Sequence, residues 1–340
     1  MSSEFILKSY SRALGIADVD TTGTELTIGI ADSCCSPPKN CEVEYETKVD
    51  KFDHHGQDPY GHGTRVTRII TKMLPDADYQ FYRIVGNRRE GACQHPALLQ
   101  AMYTAWMSGV DILNVSGGYE ATENRELPSE REITKFADHG LTTVSALGNY
   151  IKDVVTEPTF PAKHPDVIGV SGYEPYCNSD KDINGREKSH QGYTFGSKSV
   201  NNTSTSDNNY CGYRSCQDGV CTASEECSLT ETTWDGNVTP SDNSASPDVY
   251  APVRYPVEDG DRVTRKSGTS YSAPLIVATI GAALDDAKQA GRDPSPKELQ
   301  IQLKKTGTPL TADDGYKPNA ANLLTALKPD DLSVPSLEEE

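Results

Sequence analysis

No stretch of the chain approaches the roughly 20 consecutive apolar residues that a membrane-spanning helix needs, and apolar types fill only 35% of its 340 positions. A helical membrane span is therefore excluded. Basic charge is also in short supply: 32 Lys and Arg stand against 50 Asp and Glu, for a formal net charge of -18. That balance repels a phosphate backbone, so nucleic acid is not an expected partner. The opening residues, MSSEFILKSYSRALG, lack the basic segment, apolar run and small-residue cleavage site of a secretory signal. Two expectations stand: a cytoplasmic chain if Met1 is its native start, or an extracellular mature form, which the cysteine content favours. No internal repeat is present.

Cysteine, in contrast, is plentiful. Of nine, four (Cys211, Cys216, Cys221, Cys227) crowd into one polar stretch, as in a disulfide-stapled loop of an extracellular protein. The tight CxxC pairs of a zinc cluster are missing, which leaves disulfides ahead of zinc, with free thiols as the remaining reading. Spacing alone does not fix connectivity. An odd count leaves at least one cysteine unpaired in the expected monomer.

The length allows one large domain or two ordinary ones. From residue 26 to about 172 short apolar runs (LTIGIA, YQFYRIV, VDILNV, LTTVSA, VIGVS) alternate with helical patterns. This order predicts an α/β fold, a mainly parallel sheet with helices on both faces. After Gly63, Val66, Ile69, Ile70, Met73 and Leu74 share one helical face, with Arg65, Arg68 and Lys72 on the other. A second helix starts near Pro96 and ends at Gly109; a third pairs Ser129 with Glu132 in capping-box spacing and stops at Gly140. From about 173 to 246 the pattern disappears into Asn, Ser, Thr, Asp and Gly, an expected surface insertion ordered by disulfides or ions, or else locally disordered. Then come DVYAPV, a helix from about Ser270 to Ala290 closed by Gly291, another capped by Ser295 and Glu298, and a last one in KPNAANLLTAL. A single domain over residues 1–328 and an acidic tail, 329–340, complete the expected organisation.

Three segments place reactive side chains where strand meets helix, as parallel α/β sheets do. ELTIGIADSC ends a buried strand in Asp32, where a carboxylate can orient an imidazole and stabilise its cation. YGHGTRV sets His62 between two glycines at a helix start. KSGTSYSAPLIVATIGAAL puts Ser270 at the N-terminus of an apolar helix, an end that favours developing negative charge. Taken singly, the Asp and the Ser read as helix caps and the His as a structural residue. All three in this order and context are far more specific.

These motifs resemble those of the subtilisin-like serine proteases, the subtilases, in which the triad follows the chain order Asp, His, Ser. The likeness runs from about residue 24 to 327 apart from the insertion. It includes YQFYRIVGNRREGACQHPALLQAMYTAWMSGVDILNVSGG and TFPAKHPDVIGVSG, with GTSYSAP the most specific motif. The resemblance implies a three-layer fold and a serine endopeptidase using Asp32, His62 and Ser270. It implies that Asn149, in SALGNY, stabilises the oxyanion. Ser116, Gly117 and Gly118 would pair with an extended polypeptide substrate, and Thr159 would lie at the floor of the pocket for the residue before the scissile bond. No cofactor is required for such chemistry.

The chain also departs from the family. Cys34 stands two positions after Asp32, where a glycine is usual; it either pairs with Cys41 or is a free thiol that mercurials would attack. Only LPDAD separates the His62 helix from the next strand, so the loop forming the strong calcium site of many relatives is missing. Structural calcium is thus weakly supported. Asp180, Asp182, Asn184 and Gly185, and Asp18, Asp20, Thr22 and Gly23, start like calcium loops, but the first has Gln191 where a bidentate Glu belongs, and solvated turns are the favoured reading. Asn202 and Asn237 sit in glycosylation sequons. Two other functions stay open: a non-catalytic peptide-binding member of the fold, and a dedicated intracellular processing protease. A G-x-S-x-G hydrolase does not fit, because the glycine two positions after Ser270 is absent.

Overall fold

The computed structural model describes residues 7, 10–12, 14–33, 61–85, 95–118, 129–148, 159–177, 215–217, 220–222, 229–233, 248–252, 254–259, 262–309 and 316–328. Its centre is strand β1 (Thr27–Asp32), flanked by β2 (Asp78–Arg83) and β3 (Ile112–Val115), both parallel to it. Beyond β3 the sheet continues through β4 (Thr142–Ala146), β5 (Ile168–Cys177), β9 (Val249–Pro252) and β13 (Tyr316–Lys317), each parallel to its neighbour. Antiparallel β12 (Thr308–Pro309) closes that edge. Seven parallel strands confirm the predicted α/β architecture.

The strands read as continuous apolar runs because both faces of the sheet are covered. Side chains alternate between two cores. Ile28, Ile30, Ile112 and Val144 join one, with Val66, Ile69 and Ile70 of helix α1 (His62–Met73) and the long helix α4 (Thr269–Gln289). Ala31, Tyr82, Leu113 and Val115 face the other, against α2 (His95–Met107) and α3 (Ser129–Asp138). Helices α5 (Pro296–Thr306) and α6 (Ala320–Leu327) pack on the α4 side through Leu299, Leu303, Leu323 and Leu327. Helix ends fall where the local sequence puts them. The Ser295 hydroxyl accepts from the Glu298 amide, and Gly109, Gly140 and Gly291 follow their helices with φ of 71°, 101° and 77°, a conformation costly for any residue with a Cβ.

One fully buried carboxylate organises the entry to β1. Asp285, on α4, accepts from the Thr21 hydroxyl, from the amides of Gly23 (3.2 Å) and Glu25 (2.7 Å), and from the Gln289 side chain. The Gly23 turn is thereby a structural anchor, while Asp18 and Asp20 remain exposed. Among the described residues no group of three or more His, Cys, Asp or Glu is arranged so that it could hold a metal ion.

The segment from 173 to 246 differs from the patternless insertion expected. β5 runs on to Cys177, and its second half pairs antiparallel with β8 (Leu229–Thr233). Tyr and Thr suit strands, but the polar composition around them hides the pattern. A small hairpin joins β6 (Ser215–Gln217) to β7 (Val220–Thr222), with Cys216 and Cys221 as register partners. Another hairpin, β10 (Arg254–Asp259) with β11 (Arg262–Ser267), leads into α4; the Gly-Asp dipeptide between its strands was its sequence signal. Cys34, Cys35, Cys41, Cys93, Cys211 and Cys227, the segment 180–191, and Asn202 and Asn237 lie outside the described residues.

Candidate active site

Asp32 is the last residue of the central strand, so its carboxylate stands at the carboxyl edge of the sheet. It is 4% exposed and accepts from the Ser33 amide at 2.6 Å. Helix α1 begins above it. Gly61, with φ of 60°, provides a left-handed turn that only glycine adopts freely, and His62 is the first helical residue. The first turn is tied down by two further bonds: the Gly63 amide donates to the Ser33 hydroxyl at 3.2 Å, and the Thr67 hydroxyl donates to the Gly63 carbonyl at 2.8 Å.

The imidazole bridges two other elements. His62 Nδ1 lies 2.8 and 3.0 Å from the Asp32 oxygens, and Nε2 lies 3.0 Å from Ser270 Oγ. A carboxylate only accepts, so Nδ1 carries the proton and Nε2 accepts from the serine hydroxyl. The sequence positions 32, 62 and 270 thus converge on one side-chain chain from sheet to α1 to α4. Such an arrangement can move a proton from Ser270 Oγ to a base whose far side faces a buried negative charge.

Ser270 lies in the first turn of α4, 8% exposed. Its carbonyl would normally accept from the amide four residues later, but that residue is Pro274, which has no N–H. The Ser116 hydroxyl donates to this carbonyl instead, at 2.9 Å. Asn114 Nδ2 donates in turn to Ser116 Oγ at 2.8 Å. A polar residue inside the apolar run VDILNV was the sequence signal for Asn114, which is fully buried. Ser272, also fully buried, donates toward the carbonyls of Ala251 and Pro252 and so docks the same turn on β9.

Of the remaining predicted residues, Gly117, Gly118 and Thr159 gather around the ends of β3 and β4. Thr269 clasps Gly148 in both directions: its hydroxyl donates to the Gly148 carbonyl at 2.9 Å and accepts from the Gly148 amide at 3.2 Å. Asn149 itself lies outside the described residues. Thr159 donates to the Ala146 carbonyl at 3.1 Å. A Cβ on Gly118 would stand 2.6 Å from Thr159 Oγ1, and one on Gly148 would stand 3.1 Å from Thr159 Cγ2. Gly118 and Gly148 therefore both lie against Thr159, and glycine is needed for that approach. Gly117 and Gly118 are half-buried, at the open end of β3.

Comparison with known proteins bears on the family and the fold. A family model described as the subtilase family, peptidase S8, matches residues 16–321. Among solved structures, a mutant of the protease domain of PatA is 15% identical with a TM-score of 0.59, covering 90% of this chain and 96% of that one. The prenylagaramide maturation protease PagA is 16% identical (TM-score 0.55, covering 96% and 99%). A lanthipeptide protease is 16% identical (TM-score 0.59, covering 95% and 96%). At this identity the likeness speaks for the fold. No curated protein matches at a comparable level.

Proposed function

Because the chain belongs to the subtilase family and is a serine peptidase, we propose that it is an endopeptidase that opens peptide bonds through an acyl-enzyme on Ser270. The observation that carries this reading is the run from Asp32 to His62 to Ser270 at 2.8 and 3.0 Å. His62 Nε2 takes the hydroxyl proton as Ser270 Oγ bonds to the scissile carbonyl carbon. Asp32 holds the tautomer and stabilises the imidazolium. The imidazolium then protonates the leaving amine, the C–N bond breaks, and water, deprotonated by the same nitrogen, releases the acyl group.

The oxyanion formed in this sequence carries charge that the ground state lacks, so donors aimed at it accelerate the reaction. The Ser270 amide and the Asn149 side chain have that role in the proposal; the clasp between Thr269 and Gly148, adjacent to Asn149, supports it. The substrate is a polypeptide in extended form laid along Ser116, Gly117 and Gly118, with the side chain before the scissile bond directed at Thr159.

A fluorophosphonate probe, followed by mass spectrometry of the labelled peptide, tests the nucleophile. Labelling confined to Ser270, with casein cleavage that falls by about a millionfold in Ser270→Ala, is the expected result for a triad acting as a unit. Folded protein that neither labels nor cleaves would instead mark a non-catalytic peptide-binding module.

A further inference from the structure

Tyr271 follows the proposed nucleophile, and its ring stands beside His62 with centroids 5.5 Å apart and planes inclined by 40°. The residue is 4% exposed, so packing holds the ring in place. Its hydroxyl accepts from Arg65 Nε at 3.1 Å. Arg65 lies three residues after His62, one turn along α1. A single side chain from α4 is therefore tied at its tip to α1 while its ring lies against the imidazole at the start of that same helix.

The hydrogen bonds of His62 to Asp32 and Ser270 leave from Nδ1 and Nε2, in the plane of the imidazole. They fix its direction but oppose out-of-plane tilting only weakly. A tilted aromatic neighbour supplies that restraint. The separation is also within the roughly 6 Å at which an aromatic ring attracts a cation, and the imidazole becomes a cation only after it has taken the Ser270 proton.

We propose that Tyr271, held by Arg65, is a positioning residue for His62: it restrains the imidazole and favours the imidazolium formed as Ser270 attacks. This rests on the endopeptidase reading above. It assigns the polar face of α1 a part in catalysis, with Arg65 acting through the Tyr271 ring.

The test resolves fluorophosphonate labelling into a maximal rate, kinact, and a binding constant, KI, for wild type, Tyr271→Leu, Tyr271→Phe, Arg65→Met and the Tyr271→Phe/Arg65→Met pair. Losing the aromatic ring in Tyr271→Leu lowers kinact about tenfold with KI unchanged. Tyr271→Phe and Arg65→Met each lower it about threefold, and the pair falls no further than either alone, because both remove the same bond. Tyr271→Phe is nearly isosteric, so it reports even if the leucine variant fails to fold. Unchanged kinact in Tyr271→Phe and Arg65→Met, losses confined to KI, or effects that multiply in the pair would overturn the proposal while wild-type labelling upheld the endopeptidase. Wild type that does not label would overturn both.

Discussion

Replacing Ser116 by Ala should loosen the turn that carries Ser270, and the cost follows from counting partners. The Ser116 hydroxyl is donor to the Ser270 carbonyl and acceptor from Asn114 Nδ2. Its loss strands one buried acceptor and one buried donor, with Pro274 unable to serve the first. At about 1–3 kcal/mol for each unsatisfied group, stability falls by roughly 2–6 kcal/mol. With an unfolding entropy of about 0.7 kcal/mol/K for a chain of this size, that is a drop in Tm of about 3–8 °C. Urea denaturation of wild type, Ser116→Ala, Pro274→Ala and the double variant measures it. An alanine at 274 restores an amide four residues after Ser270, so Ser116→Ala in the Pro274→Ala background should cost about 1–2 kcal/mol less. Equal costs in both backgrounds would refute the claim that Ser116 replaces the missing helix bond.

Two other perturbations address stability away from the site. Asp285→Ala leaves the Gly23 and Glu25 amides and the Thr21 hydroxyl without their acceptor, and a denaturant midpoint equivalent to a loss of about 3 kcal/mol or more is expected; a loss near zero would show that the entry to β1 does not depend on this carboxylate. His164 is buried, with Nε2 donating to the Glu130 carbonyl and Nδ1 accepting from the Asp166 amide, both at 3.1 Å. Burial pushes its pKa below the ordinary histidine value, against the opposing pull of the Asp166 carboxylate. The folded state thus takes up its proton at lower pH than the unfolded state does. The stability from a neutral His164 is whole above about pH 6.5 and is lost as pH falls through the folded value. Urea midpoints compared between about pH 7.5 and 5.5 should therefore fall less in His164→Gln than in wild type; parallel declines would contradict the assignment.

Elements governed by neighbours in the chain were legible without a structure. The apolar run ending in Asp32, the helix stops at Gly109, Gly140 and Gly291, and the Ser295 cap all emerged where their sequences placed them. Each depends on backbone conformation, burial period or a bond spanning a few residues. What escaped was of two kinds. The pairing of Tyr173–Cys177 with Leu229–Thr233 joins segments whose polar surroundings mask their strand character. The supports of the site depend on distance across the fold. Ser116 reaches Ser270 across 154 positions, Arg65 reaches Tyr271 across 206, and Asp285 gathers the turn before β1 from 260 or more positions away. Composition and periodicity contain no record of such meetings. The chain itself determined which residue types could do chemistry and where strands hand over to helices. Only the packed sheet, with α1 and α4 against one face, decided that Asp32, His62 and Ser270 stand within hydrogen-bonding reach, because side-chain geometry at that scale is set by what fills the space around it.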